Sequence, residues 1–288
     1  MMMWGAQDEV GALNRVTPDV VRRALGSAAR GRVLSLAQVY SAQMPQIGFH
    51  GPFFSSTFRT YRGTQRLFSG FRNDLGSLIC RYELSDHTGT HVDGLNHASR
   101  GDLLYNGVRA SEVLTDAGTT RLGIETMPPV VTRGVLLDVA RLHRTKVLDP
   151  SYEITPRDVT RVLKEHKLEV RPGDAVLFRT GRGSLWGVDN ARYLSPNPGP
   201  GPEVAQWLAD ERVGITGADT SSYDVEPPNP KELFPCHQIL IQRHGIHLVE
   251  NLDLEKLAKE RPREFLFICA PLRLQGGAGS PVAPIAVI

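Results

Sequence analysis

What most restricts the fold of this chain is its second half, where short apolar, β-branched runs alternate with stretches of helical periodicity. The runs 134–139, 174–178, 213–216, 246–249 and 265–269 read as buried strands. Between them, Thr155-Pro156 marks a helix start, a capping hydroxyl followed by a proline that needs no amide partner, and Val159, Val162 and Leu163 recur behind it at helical spacing. Two further helices are expected from Pro202 (Val204, Trp207, Leu208) and Asp253 (Leu254, Leu257), and an earlier one from Thr17-Pro18 (Val20, Val21, Ala24, Leu25). The region from Val33 to Cys80 has little helical periodicity and several turn signals, so it is expected to be strand and loop. The expectation is an α/β chain with a β-rich front, and no boundary divides residues 1–288 into separate domains.

Composition narrows the function. With 41% hydrophobic and 22% charged residues, the 288-residue chain has the balance of a globular enzyme rather than a disordered segment. Its 33 Lys plus Arg against 31 Asp plus Glu leave a formal charge of +2, and no long basic run offers a footprint for phosphates, so nucleic acid is not an expected partner. No segment reaches the roughly 20 apolar residues of a membrane span, and the first residues lack a basic lead into an apolar stretch, so a cytoplasmic location is expected. Cys80, Cys236 and Cys269 are odd in number and far apart, which suits neither a disulfide framework nor a zinc finger.

The chemistry is concentrated in Ser85-Asp86-His87-Thr88-Gly89-Thr90-His91-Val92-Asp93-Gly94-Leu95-Asn96-His97, which holds three of the nine histidines and two aspartates. If the strand character of 78–84 continues through it, alternation points His87, Gly89, His91 and Asp93 to one face. A helix would also bring His87 and His91 together, but a glycine and two threonines between them disfavour it. Gly94 then permits a turn that returns His97 toward the same pocket. Two imidazoles and a carboxylate leave open positions on zinc or manganese, where water can lose a proton near neutral pH. Each histidine alone is better read as a hydrogen-bonded residue at a sheet end; the cluster is what points to a metal.

This segment resembles the HxGTHxDxPxH signature of the cyclase family of metal-dependent hydrolases, which includes bacterial kynurenine formamidase and isatin hydrolase. Every fixed position matches except the proline, which is Leu95 here. The resemblance continues through segments 134–138, 173–181, 217–221, 245–252 and 276–282. It implies a layered β/β/α, swivelling-type fold with a mixed sheet or partly closed barrel, assembled as a homodimer or homotetramer. It further implies a metal, zinc or manganese, on His87, His91 and Asp93, a second metal in some members on the residues matching His237 and Glu250, and His97 as general acid or base. Without the resemblance, Glu250 at a strand end is equally a surface terminus or a ligand, His237 is a satisfied core or loop histidine, and His244 and His247 look like surface residues.

The front of the chain supplies Phe49, Phe53, Phe54, Phe58 and Tyr61, which suit a core, an oligomer contact, or an aromatic wall over the active site. In the last reading, an N-terminal extension of about residues 1–75 covers the site, and Phe53, Phe54 and Trp186 stack a flat substrate. Leu95 in place of proline is expected to loosen the turn and reshape the pocket wall. The glycines of 276–281 suit a tight turn near the pocket, and Ser221 and Ser222, outside any GxSxG elbow, suit polar support of the metal site. The expected activity is metal-assisted hydrolysis of a small aromatic formamide or cyclic amide. Lactone hydrolysis or polyketide-type cyclisation, and a non-catalytic metal-binding role, are the alternatives.

Overall fold

The apolar runs of the second half form the centre of one nine-stranded mixed sheet. The computed structural model describes residues 4–288, the side chain of Phe49 excepted. Its principal strands are β1 (Val33–Ser35), β2 (Phe54–Arg59), β3 (Ile79–Glu83), β4 (His91–Asp93), β5 (Val130–Asp138), β6 (Ala175–Arg179), β7 (Ile215–Ala218), β8 (His247–Glu250), β9 (Phe265–Cys269), β10 (Gly279–Pro281) and β11 (Ile285–Val287). The large sheet is ordered β1-β11-β9-β5-β6-β7-β8-β4-β10. Strands β5 to β8 are mutually parallel, and the strands flanking them on both sides are antiparallel. The sheet curls into a half-barrel.

Alternation along each central strand feeds two cores. Val135, Leu137, Val176 and Phe178 enter one, with Val159 and Val162 of helix α3 (Pro156–His166) and Val204 and Leu208 of helix α4 (Pro202–Asp210). Ala175, Leu177, Phe265 and Phe267 enter the other, with Leu34, Leu36, Ile124 and Leu257. Because both faces are covered, these strands read as continuous apolar runs rather than polar-apolar alternation. Fully burying a side chain such as Phe178 contributes about 1.5–3 kcal/mol.

The helices begin where capping chemistry places them. Thr17 accepts the Val20 amide at the head of the first helix, α1 (Pro18–Leu25), and Thr155 and Asp158 form a reciprocal capping box on α3. The final helix, α5 (Glu255–Glu260), starts just past Asp253, whose Oδ1 accepts the Glu255 amide. The front of the chain departs from expectation in one element. Helix α2 (Tyr61–Leu67) lies where only strand and loop are expected, capped by Thr60 through the Gly63 amide. Its apolar residues Tyr61 and Leu67 stay exposed and only Thr64 is buried, so no core-facing stripe marks it. Strands β2 and β3 pair only with each other. Among the described residues no helix is long and apolar enough to cross a membrane.

Candidate metal centre

The centre is built where β4 enters the large sheet between β8 and β10. Register places His91 opposite both Glu250 and Pro281, and Asp93 opposite Gly279. The expectation that one strand carries His87 through Asp93 is corrected here: 86–90 form turns and bends, and the strand begins at His91. Alternation therefore places only His91 and Asp93 on a shared face, and His87 arrives from the preceding turn. Gly89 makes that reversal with a φ of +66°, and a Cβ there would lie 2.5 Å from the Tyr40 ring. The Tyr40 hydroxyl spans the Thr88 and Thr90 carbonyls at 2.9 and 2.7 Å, holding the turn on the strand.

The ligand atoms close a ring. Asp93 Oδ1 is 3.4 Å from Nε2 of both His87 and His91. Glu250 is 3.4 Å from His91 Nε2 and 3.3 Å from His237 Nε2, which is 3.6 Å from the second Asp93 oxygen. The structure thus brings His237 and Glu250 to the centre formed by His87, His91 and Asp93. His97, carried back by the turn after β4, sits on the open side, its ring 4.0 Å from that of His87 and 5.8 Å from that of His237.

Each imidazole is oriented from behind. His87 Nδ1 lies 2.8 Å from Asp86 Oδ1, His91 Nδ1 2.8 Å from the Gly89 carbonyl, and His237 Nδ1 2.7 Å from Asp224 Oδ2. These oxygens can only accept, so each Nδ1 carries a proton and each Nε2 faces the centre. There, Nε2 of His87 and His91, both Asp93 oxygens and Glu250 Oε1 are buried with no hydrogen-bond partner among the described residues. Leaving one such atom unsatisfied costs about 1–3 kcal/mol or more. The nitrogen and carboxylate donors of His87, His91 and Asp93 lie within 4.8 Å of one another, as do those of Asp93, His97 and His237. Both sets fit a divalent cation.

Electrostatics agree with that donor set. Burial opposes ionisation of Asp93, yet the surrounding His97, His91 and His87 hold its carboxyl well below the usual range. Burial raises Glu250, and nearby Asp93 adds to the rise. Burial also works to lower His91, but Asp93 and Glu250 override it and lift the imidazole to about 9. A cation between those carboxylates would compete for the same lone pair. Burial pushes His97 down to about 3, Asp93 opposing and His87 and His237 assisting, so it is a neutral base at neutral pH.

A cavity of about 270 Å³ opens beside the ring, lined by His50, His97, Ser221, Ser222 and Phe234 among others. Trp186 lines the adjoining crevice with His50, His87 and Asn251. The indole donates to the Val39 carbonyl at 3.0 Å and meets Tyr193 edge-on. Phe53 and Phe54 do not line these spaces, a correction to the aromatic wall. The Phe53 ring packs against Tyr40 and Tyr82, whereas Phe54 is 57% exposed, because both belong to the β2–β3 excursion. The side chain of Phe49, proposed for the same wall, lies outside the described residues.

Two more expectations are corrected. Leu95 is fully buried in the helix-side core and does not form the pocket wall. His247 is no surface residue: it is buried, and its Nδ1 lies 2.7 Å from the Asp93 carbonyl. The glycine-rich turn does lie at the site, its Ala278 and Gly279 amides donating to Asp86 Oδ2 at 3.1 Å. Ser221 and Ser222 accept from Asn197 Nδ2 at 3.0 and 2.6 Å on the cavity rim. Sequence reasoning assigned no role to Asp86, Asp224 or His50. Asp86 had a signal, its place beside His87; Asp224 and His50 are isolated in sequence and meet the site only through folding.

Comparison with known proteins gives a consistent set of relatives. The family model described as "Putative cyclase" matches residues 34–225. An isatin hydrolase from Roseibium aggregatum is 24% identical over 217 residues, covering 71% of this chain and 73% of that protein. A kynurenine formamidase from Bacillus thuringiensis is 34% identical over a shorter stretch of 83 residues, 29% of this chain and 36% of its own. A solved structure described as a novel cyclase superposes with a TM-score of 0.89 at 29% identity, covering 100% of this chain and 98% of that one.

Proposed function

This chain belongs to the cyclase family, and from that premise we propose that it is a metal-dependent hydrolase of a small aromatic formamide or a cyclic amide such as an isatin-like lactam. The observation that carries the reading is the ring of buried, unpartnered donor atoms on His87, His91, Asp93 and Glu250 with His97 at its open side. A zinc or manganese ion on His87, His91 and Asp93 would act as a Lewis acid and lower the pKa of water, and His237 and Glu250, 3.3 Å apart, would be donors for a second. The named activities of the isatin hydrolase and kynurenine formamidase relatives support carbon-nitrogen hydrolysis.

His97 accepts the proton of the attacking water and delivers it to the leaving nitrogen. It is unprotonated at neutral pH, and its place at the mouth of the ring puts it beside a substrate in the cavity. Phe234 and Trp186 present flat surfaces on which an aromatic substrate could stack. The same base and cation would also serve an ester, so lactone hydrolysis is the second reading. Exposed Phe58, Tyr61, Phe71 and Tyr82 on the β2–β3 excursion support a homodimer or homotetramer that covers them.

Metal content per chain, measured on protein purified without chelator, tests the proposal together with turnover of a formanilide, isatin and an aryl lactone. About one or two equivalents of zinc or manganese, with amide turnover that His97→Ala lowers about 10²–10⁴-fold while at least one equivalent of metal is retained, is the expected result. No metal after reconstitution, or lactone turnover alone, rejects the amidase reading. Light scattering of the same protein measures the oligomer.

A further inference from the structure

A second cleft, of about 780 Å³, lies away from the metal centre at the carboxyl ends of β5 and β6. Five of its lining residues are Arg141, Arg144, Arg161, Lys259 and Arg261. Among the described residues none of the five has an ion-pair partner, although most other ion pairs of the chain are built on arginine. A sixth cation, Arg179, forms the floor and is already neutralised, at 2.8 Å from Asp138 and 2.9 Å from Glu255. That leaves Glu165 as the one lining carboxylate without a partner, facing five unpaired cations.

Helix ends alone do not account for this. Arg141 and Lys259 occupy the last turns of the short helix Val139–Leu142 and of α5, and Arg261 caps α5, positions where a cation offsets the negative end of the helix. Arg161, however, lies in the middle of α3, where no such benefit exists, and it still points into the cleft. Like charges gathered in a concave site repel one another and focus a positive potential on its interior. The arrangement is relieved by an anion that several of them can share, and guanidinium groups pair with phosphate or carboxylate through two parallel hydrogen bonds.

We propose that this cleft is a binding site for a small, multiply charged oxyanion bearing two or more phosphate or carboxylate groups. Its volume suits a ligand of metabolite size. The site is independent of the metal-centre chemistry, but Arg179 of its floor directly precedes Thr180 and Gly181. Their amides donate to buried Asp219 at 2.8 Å, next to the Thr220–Ser222 segment that reaches the cavity rim.

The test is calorimetric titration of the metal-loaded full chain with fructose 1,6-bisphosphate and, separately, with propane-1,2,3-tricarboxylate at matched ionic strength. The variant is Arg161→Glu/Lys259→Glu, both positions being exposed, with metal content and thermal midpoint measured alongside. Saturable binding of either probe, weakened about tenfold or more by the double charge reversal, is expected, and the preferred probe identifies phosphate or carboxylate as the recognised group. Absence of saturable binding by both probes overturns the site. Equal binding by variant and parent also overturns it, since capture at the metal or nonspecific attraction would survive the substitutions.

Discussion

His237 hands its Nδ1 proton to Asp224 at 2.7 Å, and that single contact aims its Nε2 at Glu250, 3.3 Å away. Asp224 is fully buried, and its other oxygen accepts the Cys236 amide at 2.6 Å, so the carboxylate fixes both the helix turn that carries His237 and the ring itself. Replacing Asp224 by Asn keeps an acceptor but removes the charge. We expect metal affinity at the His237–Glu250 donors to fall about 10–100-fold while the stronger equivalent is retained. Competitive metal titration with a chromophoric chelator measures both, and an unchanged weaker equivalent would show that Asp224 serves only the fold.

His91→Ala and His97→Ala should separate holding a metal from using it. The first removes a donor at the centre of the ring and is expected to lose most bound metal. The second leaves His87, His91 and Asp93 in place, so the metal on those three should be retained while turnover falls about 10²–10⁴-fold. Elemental analysis with an amide assay reads both, and full metal stoichiometry in the His91 variant would sink the donor set.

Stability should carry an acidic signature from Asp158. Burial opposes its ionisation, but the Thr155 amide, His143 and the Thr155 hydroxyl outweigh it, and the carboxyl lies below its ordinary pKa. A depressed carboxylate stabilises the fold above its unfolded value, about 3.9, and that stability disappears as pH falls through the folded value. Asp158→Asn breaks the capping box and should cost about 1 kcal/mol near neutral pH, or roughly 2–4 °C in thermal midpoint. The difference should close as pH drops below about 4. A gap that stays constant down to acid would assign the loss to packing instead.

Gly134 should tolerate no side chain unless its neighbour shrinks. It stands opposite Phe265 across the β5–β9 ladder, and a Cβ there would come within 2.1 Å of the Phe265 ring. Gly134→Ala is expected to destabilise by about 1–3 kcal/mol. In a double-mutant cycle with Phe265→Leu, the two losses should sum to less than their parts, measured by urea denaturation. Strict additivity would mean the ring moves aside freely.

The parts of this fold that could be read directly are those whose signal is local. Thr155-Pro156 announced α3 and the run around 174–178 announced β6, because capping and apolar periodicity act within a few residues. The cyclase-family resemblance rested on the same local density, His87 to His97, and the family model bears it out. Helix α2 went unread because its buried face is a single threonine, and the strand reading of 87–90 failed because Gly89 turns the chain where alternation alone predicts that it continues.

By itself, then, the sequence determined the alternating α/β character, the helix starts and the concentration of histidine and aspartate side chains within thirteen residues. Only the tertiary structure decided that β4 pairs with β8, which sets His91 against Glu250, and that Asp224 and His237 reach the same ring from a distant turn. It likewise sent Leu95 and Phe53 into packed interiors and gathered the unpaired arginines of three separate helical segments into one cleft. The reason is that strand order and register follow from burying both faces of the whole sheet at once, a sum over contacts far apart in the chain that no local periodicity records.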